Sequence, residues 1–333
     1  MIIKYKKIYF IGPQHSGKGI ARLIFDGHEC VSNVLFQGST FSIFKKIFFE
    51  HAKNNYNKNS ETNKLIIVKF KNQQTYTLTS DNIINFLQLN DKLFPRLLEA
   101  SKKRIIQGPF EKEETIFDFD FKFDNFLFNI KQYLEGKREV TLEDIQDIIY
   151  NSYFKNWNNN TNPNKSILIQ SATTNIDNVE RMFEQTLNTH LLFVLRDTIS
   201  ILFSNAKSLM KSKFPKLYQS KEVYESRNFE KFLFSRGLLI KIDNYKKMIN
   251  ILQSKFPDRI FVTNFEDLIK SDLNTINNIS KKLKIKSFKN NIFLSINSCK
   301  LDDQSFLNET KDNYKVFLNE KLINKVKKFI KSH

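Results

Sequence analysis

Short apolar runs alternate with amphipathic stretches along most of this chain. Ile8-Tyr9-Phe10-Ile11 is an unbroken apolar run that predicts a buried strand over about Lys7 to Ile11. A glycine-bearing turn follows, and Ile20, Ala21, Leu23 and Ile24 then recur at the spacing of one helix face. Gly27 to Ser32 reads as a loop into a second short element, and the β-branched run from Leu65 to Phe70 predicts a further strand. From Asp81 to about Tyr153 the apolar spacing is helical. Ile83, Ile84, Phe86 and Leu87 carry it first, then Leu93, Leu97 and Leu98, then Phe126, Phe128, Ile130, Tyr133 and Leu134. Between these lies Phe110 to Phe121, both acidic and aromatic.

Asn158 to Asn164 is a polar tract that has no means of building a core and is expected to be an exposed loop. Beyond it the pattern predicts a strand at Ser166 to Gln170, a helix from Asn178 to about Thr186, and a strand at Leu191 to Leu195. Helical spacing then runs to Ser254, one more strand falls at Arg259 to Thr263, and two or three helices close the chain. Strands alternating with helices predict an α/β fold, a mostly parallel central sheet flanked by helices. With no internal repeat and no linker, residues 1–333 are expected to form a single domain, with a mainly helical insertion at about 75–155.

Two segments carry the chemistry. The first strand runs into Gly12-Pro13-Gln14-His15-Ser16-Gly17-Lys18-Gly19, a turn and helix start that present backbone N–H groups to a phosphate. The strand ending at Leu195 is followed by Arg196 and Asp197, with Ser204 eight residues past the arginine. A guanidinium and a hydroxyl so placed suit a second phosphate. A ligand with two separate phosphate groups uses both. Gly12-x4-Gly17-Lys18 also has the spacing of a nucleoside-triphosphate loop, but Gly19 stands where Ser or Thr holds Mg²⁺. Asp197 after its apolar strand is a candidate second metal acid, so a P-loop kinase remains open, as does a glycine turn that merely joins strand to helix.

Composition narrows the partners. Net charge is +18, yet Lys, Asn, Ile and Phe are abundant while Gly (8) and Pro (6) are scarce, the profile of an AT-rich coding sequence. No zinc finger, helix-turn-helix or RNA-binding aromatic signature accompanies the charge, so an anionic small ligand is expected rather than nucleic acid. No apolar run reaches the ~18 residues of a membrane helix, so stable membrane insertion is not expected. The stretch Ile8 to Ile11 is too short for a signal-peptide core, and Cys30 and Cys299 lack metal-ligand spacing. A cytoplasmic protein without a bound metal is expected; oligomeric state is left open.

In order and spacing these segments resemble the sulfotransferases that use 3′-phosphoadenosine-5′-phosphosulfate (PAPS). That family opens with a strand and a Gly-x-Pro-(Arg/Lys)-Ser-Gly-Thr-Thr turn, and later has a strand ending in Arg-Asp-Pro with Ser eight residues past the Arg. Here these become Gly12 to Gly19, and Arg196-Asp197-Thr198 to Ser204. Gln170 to Asn175 occupies the place of a Glu-Lys-(Ser/Thr)-Pro-x-Asn stretch. Gly237 to Tyr245, Phe256 to Val262 and Phe265-Glu266-Asp267-Leu268 resemble the late helix, strand and Tyr-Glu-Asp-Leu pattern, while Leu273 to Leu283 and Leu318 to Ile330 resemble the closing helices. Roughly residues 40–160 are not covered. His15 replaces a basic residue, Lys18-Gly19 replaces Thr-Thr, and Ser171 replaces a lysine.

The resemblance implies transfer of a sulfuryl group from PAPS to a hydroxyl or amine of a small-molecule, carbohydrate or lipid acceptor. It implies a donor site at Gln14, His15, Ser16, Gly17, Lys18, Gly19, Arg196 and Ser204. Lys18 is expected to neutralise the phosphosulfate with His15 beside it, and Arg196 and Ser204 to hold the 3′-phosphate. Candidate general bases are His51, His28, Glu50, Glu111, Glu113 and Glu114. The departures leave a catalytically silent nucleotide-binding protein as a further alternative.

Overall fold

The computed structural model describes residues 2–35, 66–70, 75–91, 93–103, 119–160, 165–172, 176–218, 221–270, 272–289, 295–296, 299–300 and 313–332. β1 (Lys6–Ile11) leads through a turn to α1 (Lys18–Asp26) and β2 (Val31–Asn33). β3 (Ile66–Lys69) and β4 (Thr75–Leu78) precede α2 (Ser80–Asn90), α3 (Leu93–Lys103) and α4 (Phe123–Glu135). Then come β5 (Glu139–Thr141), α5 (Leu142–Asn156), β6 (Ile167–Ala172), α6 (Ile176–Gln185) and β7 (Thr189–Leu195). α7 (Thr198–Lys213), α8 (Pro215–Tyr218), α9 (Arg227–Leu233) and α10 (Arg236–Lys255) follow, then β8 (Ile260–Asn264), α11 (Phe265–Ile269) and α12 (Leu273–Lys282). β9 (Ser295–Ile296), β10 (Cys299–Lys300), α13 (Asn313–Phe317) and α14 (Glu320–Lys331) complete the order.

Five strands form a mostly parallel sheet in the order β2-β6-β1-β7-β8, flanked by helices. The expected α/β class is the observed one. Non-consecutive neighbours mean that crossover connections join the strands, as a parallel sheet requires. The chain divides into two compact units. One comprises Met1–Tyr9, Arg22–Leu191 and Leu294–Asp302, the other Phe10–Ala21, Leu192–Phe293 and Asp303–His333.

In the first unit, β3 lies between β4 and β5 in a separate three-stranded sheet, antiparallel to β4 and parallel to β5. The strand read from Leu65 to Phe70 therefore exists but stands outside the main sheet. The described residues between 75 and 155 are mostly helical, with β4 and β5 added. Capping boxes start two of its helices: Thr79 and Asn82 bond reciprocally at α2, and Thr141 and Asp144 at α5. Its aromatic residues pack on one another. Phe119 stacks on Phe121 at 5.3 Å and meets Trp157 at 5.2 Å, while Tyr153 meets Phe154 edge-on at 4.9 Å. The described Phe and Tyr side chains there, apart from exposed Phe128 and half-buried Tyr76 and Tyr133, are core.

An ion pair is also buried in this unit. Lys7, on β1, has its Nζ 2.6 Å from Asp147 Oδ1, and neither side chain reaches solvent to any extent. Two carriers of opposite charge taken from water must bond well to persist. The Tyr5 backbone N–H also donates to Asp147, and Lys7 donates to the Tyr5 carbonyl.

In the second unit, α7, α9, α10 and α14 share a core of Ile199, Leu202, Phe203, Phe229, Leu233, Leu238, Ile242 and Val326. Phe203 and Phe229 meet edge-on at 5.8 Å.

Candidate functional site

The site lies in the second unit, where β1 ends, α1 begins, and β7 and β8 run into α7 and α11. β1 and β8 are the two sheet neighbours of β7, so the segments leaving all three meet. In open α/β sheets this kind of edge is where ligands bind.

The turn after β1 is built by two left-handed residues. His15 has φ 64° and Gly17 φ 88°. A Cβ at Gly17 would lie 2.1 Å from the Phe265 ring, and one at Gly12 would lie 2.3 Å from Ser16 Oγ and 2.8 Å from the Val194 carbonyl. Only glycine allows both the backbone angle and the close approach at position 17. Gly19 differs, because a Cβ there meets nothing within 4 Å. Alternation of ordinary and left-handed backbone turns successive N–H groups to one side, the concavity that holds anions. The Ala21 N–H donates to the Gly17 carbonyl at 3.0 Å, which begins the ladder of α1.

Lys18 folds back over this turn. Its ammonium donates to the Gly12 and Pro13 carbonyls, each at 3.2 Å, and burial lowers its pKa to about 8. Burial, with Lys18 and Arg196 nearby, lowers His15 to about 4, so its imidazole is neutral at physiological pH. Its Nε2 is buried without a hydrogen-bond partner among the described residues, as is Ser16 Oγ. Gln14 is exposed.

Arg196 ties the second segment to the first. Its Nη1 donates to the His15 carbonyl at 3.2 Å and to Ser204 Oγ at 3.3 Å. Ser204 is the seventh residue of α7, about two turns into the helix, so the eight-residue interval read from the sequence brings its hydroxyl to the guanidinium. Its Cζ also lies 4.8 Å from the centroid of the Phe265 ring. Burial lowers the Arg196 pKa, with Glu266 and Asp197 opposing that shift. Asp197 caps α7, accepting from the Ser200 N–H at 2.9 Å and its hydroxyl at 3.1 Å. The Asp197 N–H donates to Glu266 Oε1 at 3.1 Å.

Gln14, His15, Ser16, Gly17, Lys18, Gly19, Arg196 and Ser204 all fall in the second unit, and hydrogen bonds join Arg196 to both segments. His51, Glu50, Glu111, Glu113 and Glu114 lie outside the described residues. His28 is buried in the first unit, where Nδ1 accepts from the Cys30 N–H and its carbonyl accepts from Lys165. That is a structural arrangement. Gln170 and Ser171 are buried in β6, with Gln170 Oε1 accepting from the Tyr150 hydroxyl at 2.9 Å. Among the described residues no group of three or more His, Cys, Asp or Glu stands close enough to hold a metal ion.

Sequence reasoning missed Phe265 and Glu266 as parts of the site. Their signal was present: Phe265-Glu266-Asp267-Leu268 follows directly on β8, the strand beside β7.

No family model matches the chain, and no curated protein matches it. Solved structures do. The sulfotransferase domain of the Synechococcus PCC 7002 olefin synthase is similar at 11% identity over 98% of this chain and 95% of that one, with a TM-score of 0.45. The sulfotransferase domain of the curacin biosynthetic pathway is similar at 12% identity over 94% and 91%, with a TM-score of 0.40. Retinol dehydratase, crystallised with androsterone and the inactive cofactor PAP, is similar at 14% identity over 98% and 80%, with a TM-score of 0.39.

Proposed function

We infer that this protein is a PAPS-dependent sulfotransferase, moving a sulfuryl group to a hydroxyl or amine of a small-molecule, carbohydrate or lipid acceptor in a reducing, cytoplasmic setting. The observation that carries the reading is Arg196, whose single guanidinium bonds the phosphate turn through the His15 carbonyl and Ser204 on α7. An anion at the turn would meet the N–H groups of Gly17 to Gly19, and Lys18 already lies folded against the Gly12 and Pro13 carbonyls. Two buried polar atoms without partners, Ser16 Oγ and His15 Nε2, fit a ligand rich in acceptor oxygens.

PAPS, when bound, would supply the sulfuryl group for transfer from its 5′-phosphate oxygen to the acceptor oxygen or nitrogen, with the bisphosphate PAP as leaving group and the acceptor's proton passing to solvent. Lys18 and the N-terminus of α1 stabilise negative charge on the departing oxygen, without a metal. Arg196 and Ser204 hold the 3′-phosphate, which distinguishes this donor from a triphosphate. Neutral His15 offers a hydrogen bond rather than a charge.

Calorimetric titration with 3′-phosphoadenosine-5′-phosphate, AMP and ATP, each with and without Mg²⁺, tests the reading. Metal-independent binding of the bisphosphate in preference to the others supports it. Preference for Mg·ATP would replace it with a nucleotide kinase. Bisphosphate binding without turnover across an acceptor panel would leave a silent nucleotide-binding protein.

A further inference from the structure

Charge is unevenly divided between the two units. The second unit carries 28 Lys and Arg against 13 Asp and Glu, a net +15. The first carries 25 against 22, a net +3. The second unit is also the shorter, so it is both richer in Lys and Arg and poorer in acids for its length. Part of the surplus sits on α14, where Lys321, Lys325, Lys327, Lys328 and Lys331 are all exposed. They share the arc opposite Val326, and Lys325 also reaches Glu230 at 3.0 Å. The other arc, Leu322, Ile323, Val326 and Ile330, packs on the unit's own core. This helix therefore offers a partner charge and no apolar face.

The apolar element is next to it in the chain. α13 ends with Val316 79% exposed and Phe317 40% exposed. The Phe317 ring is anchored, 4.6 Å from Tyr224 and 5.9 Å from Phe203, with Lys207 Nζ 5.5 Å from its centroid. Val316 projects from that anchored turn. A soluble polyanion would use the lysines alone. An exposed valine five positions before the first of those lysines adds to binding where anionic headgroups overlie hydrocarbon.

We propose that the α13–α14 face docks this protein on an anionic lipid surface, with the lysines on headgroups and Val316 at the acyl boundary. No helix among the described residues is long and apolar enough to cross a membrane, so the attachment is peripheral. Lysines with one small apolar tip give reversible attachment. The proposal stands independently of the donor site.

Co-sedimentation of the full chain with phosphatidylcholine vesicles, and with vesicles that also contain phosphatidylserine, tests it. Binding is expected only with phosphatidylserine, and it should vanish at high salt. The double variant Lys321→Glu/Lys328→Glu should bind at least ~25-fold more weakly, about fivefold for each lysine near the surface. Val316→Ser should weaken vesicle binding severalfold and leave heparin binding unchanged. All three positions are exposed, and an unchanged thermal midpoint establishes that the variants fold. Equal binding to both vesicle types would overturn the proposal. So would heparin binding without vesicle binding, which would make this face a charge-only polyanion surface.

Discussion

Arg196 and His15 are 181 positions apart in the chain, yet the Arg196 guanidinium donates to the His15 carbonyl at 3.2 Å. The bond reaches a residue held at φ 64°, so it fixes the left-handed step that shapes the phosphate turn. The same Nη1 bonds Ser204, and Phe265 supports the guanidinium from below. One side chain thus joins the end of β1, the start of α7 and the start of α11.

Arg196→Ala is expected to weaken binding of 3′-phosphoadenosine-5′-phosphate by roughly 1.5–3 kcal/mol more than binding of AMP. Arg196→Lys should recover little, because a point charge cannot bond His15 and Ser204 while lying over Phe265. Calorimetry on both nucleotides checks this, and equal losses would separate Arg196 from the 3′-phosphate.

Lys18 and His15 set the pH response of the site. Lys18 titrates at about 8 in the folded protein, and a bound anion raises that value. Anion affinity should therefore be level below pH 8 and fall above it, by at most about tenfold per pH unit. Calorimetry in buffers of different ionisation enthalpy should show proton uptake on binding near pH 8. Lys18→Ala should abolish that uptake and depress turnover more than affinity.

His15 also affects folding. Its pKa is lowered to about 4 from 6.5, so between those values the unfolded chain binds more protons than the folded one. Stability contributed at this position is present above pH 6.5 and is lost as pH falls toward 4. His15→Asn, which tolerates the same backbone angle, should flatten the acid side of a stability–pH curve measured by urea unfolding.

Two glycines in one turn should respond oppositely. Gly17→Ala meets the Phe265 ring and a disfavoured backbone angle, and should cost at least ~1–2 kcal/mol. Gly19→Ala enters open space in the first turn of α1 and should stabilise by roughly 0.5–1 kcal/mol. Denaturant midpoints distinguish the two, and a stabilised Gly17 variant would contradict the geometry.

Lys7→Met takes from buried Asp147 its closest cation, leaving the Tyr5 N–H and Lys4 at 3.6 Å, and should cost up to about 3–5 kcal/mol. The double variant Lys7→Met/Asp147→Leu should recover most of it. If both unfold equally easily, the pair is not the source of the loss.

The periodicity of the chain located most of the elements that frame the site. The helix read from Asn178 to about Thr186 is observed as Ile176–Gln185, and the strand read from Arg259 to Thr263 as Ile260–Asn264. Apolar runs sufficed there because local period and buried face agree. They did not reveal β4 and β5, since Thr75–Leu78 and Glu139–Thr141 are short and polar and exist by pairing with β3.

At the site, the sequence by itself determined the local chemistry: glycines where a turn needs them, a lysine at a helix start, and an arginine two helical turns before Ser204. Those are properties of nearest neighbours and of the 3.6-residue period. Tertiary structure alone decided that the Arg196 guanidinium reaches the His15 carbonyl and that Phe265 fills the space beside Gly17. It also decided that burial draws Lys18 and His15 away from their ordinary pKa values. Each depends on which strands adjoin β7 and on how much water is excluded there, and neither is encoded within a single segment.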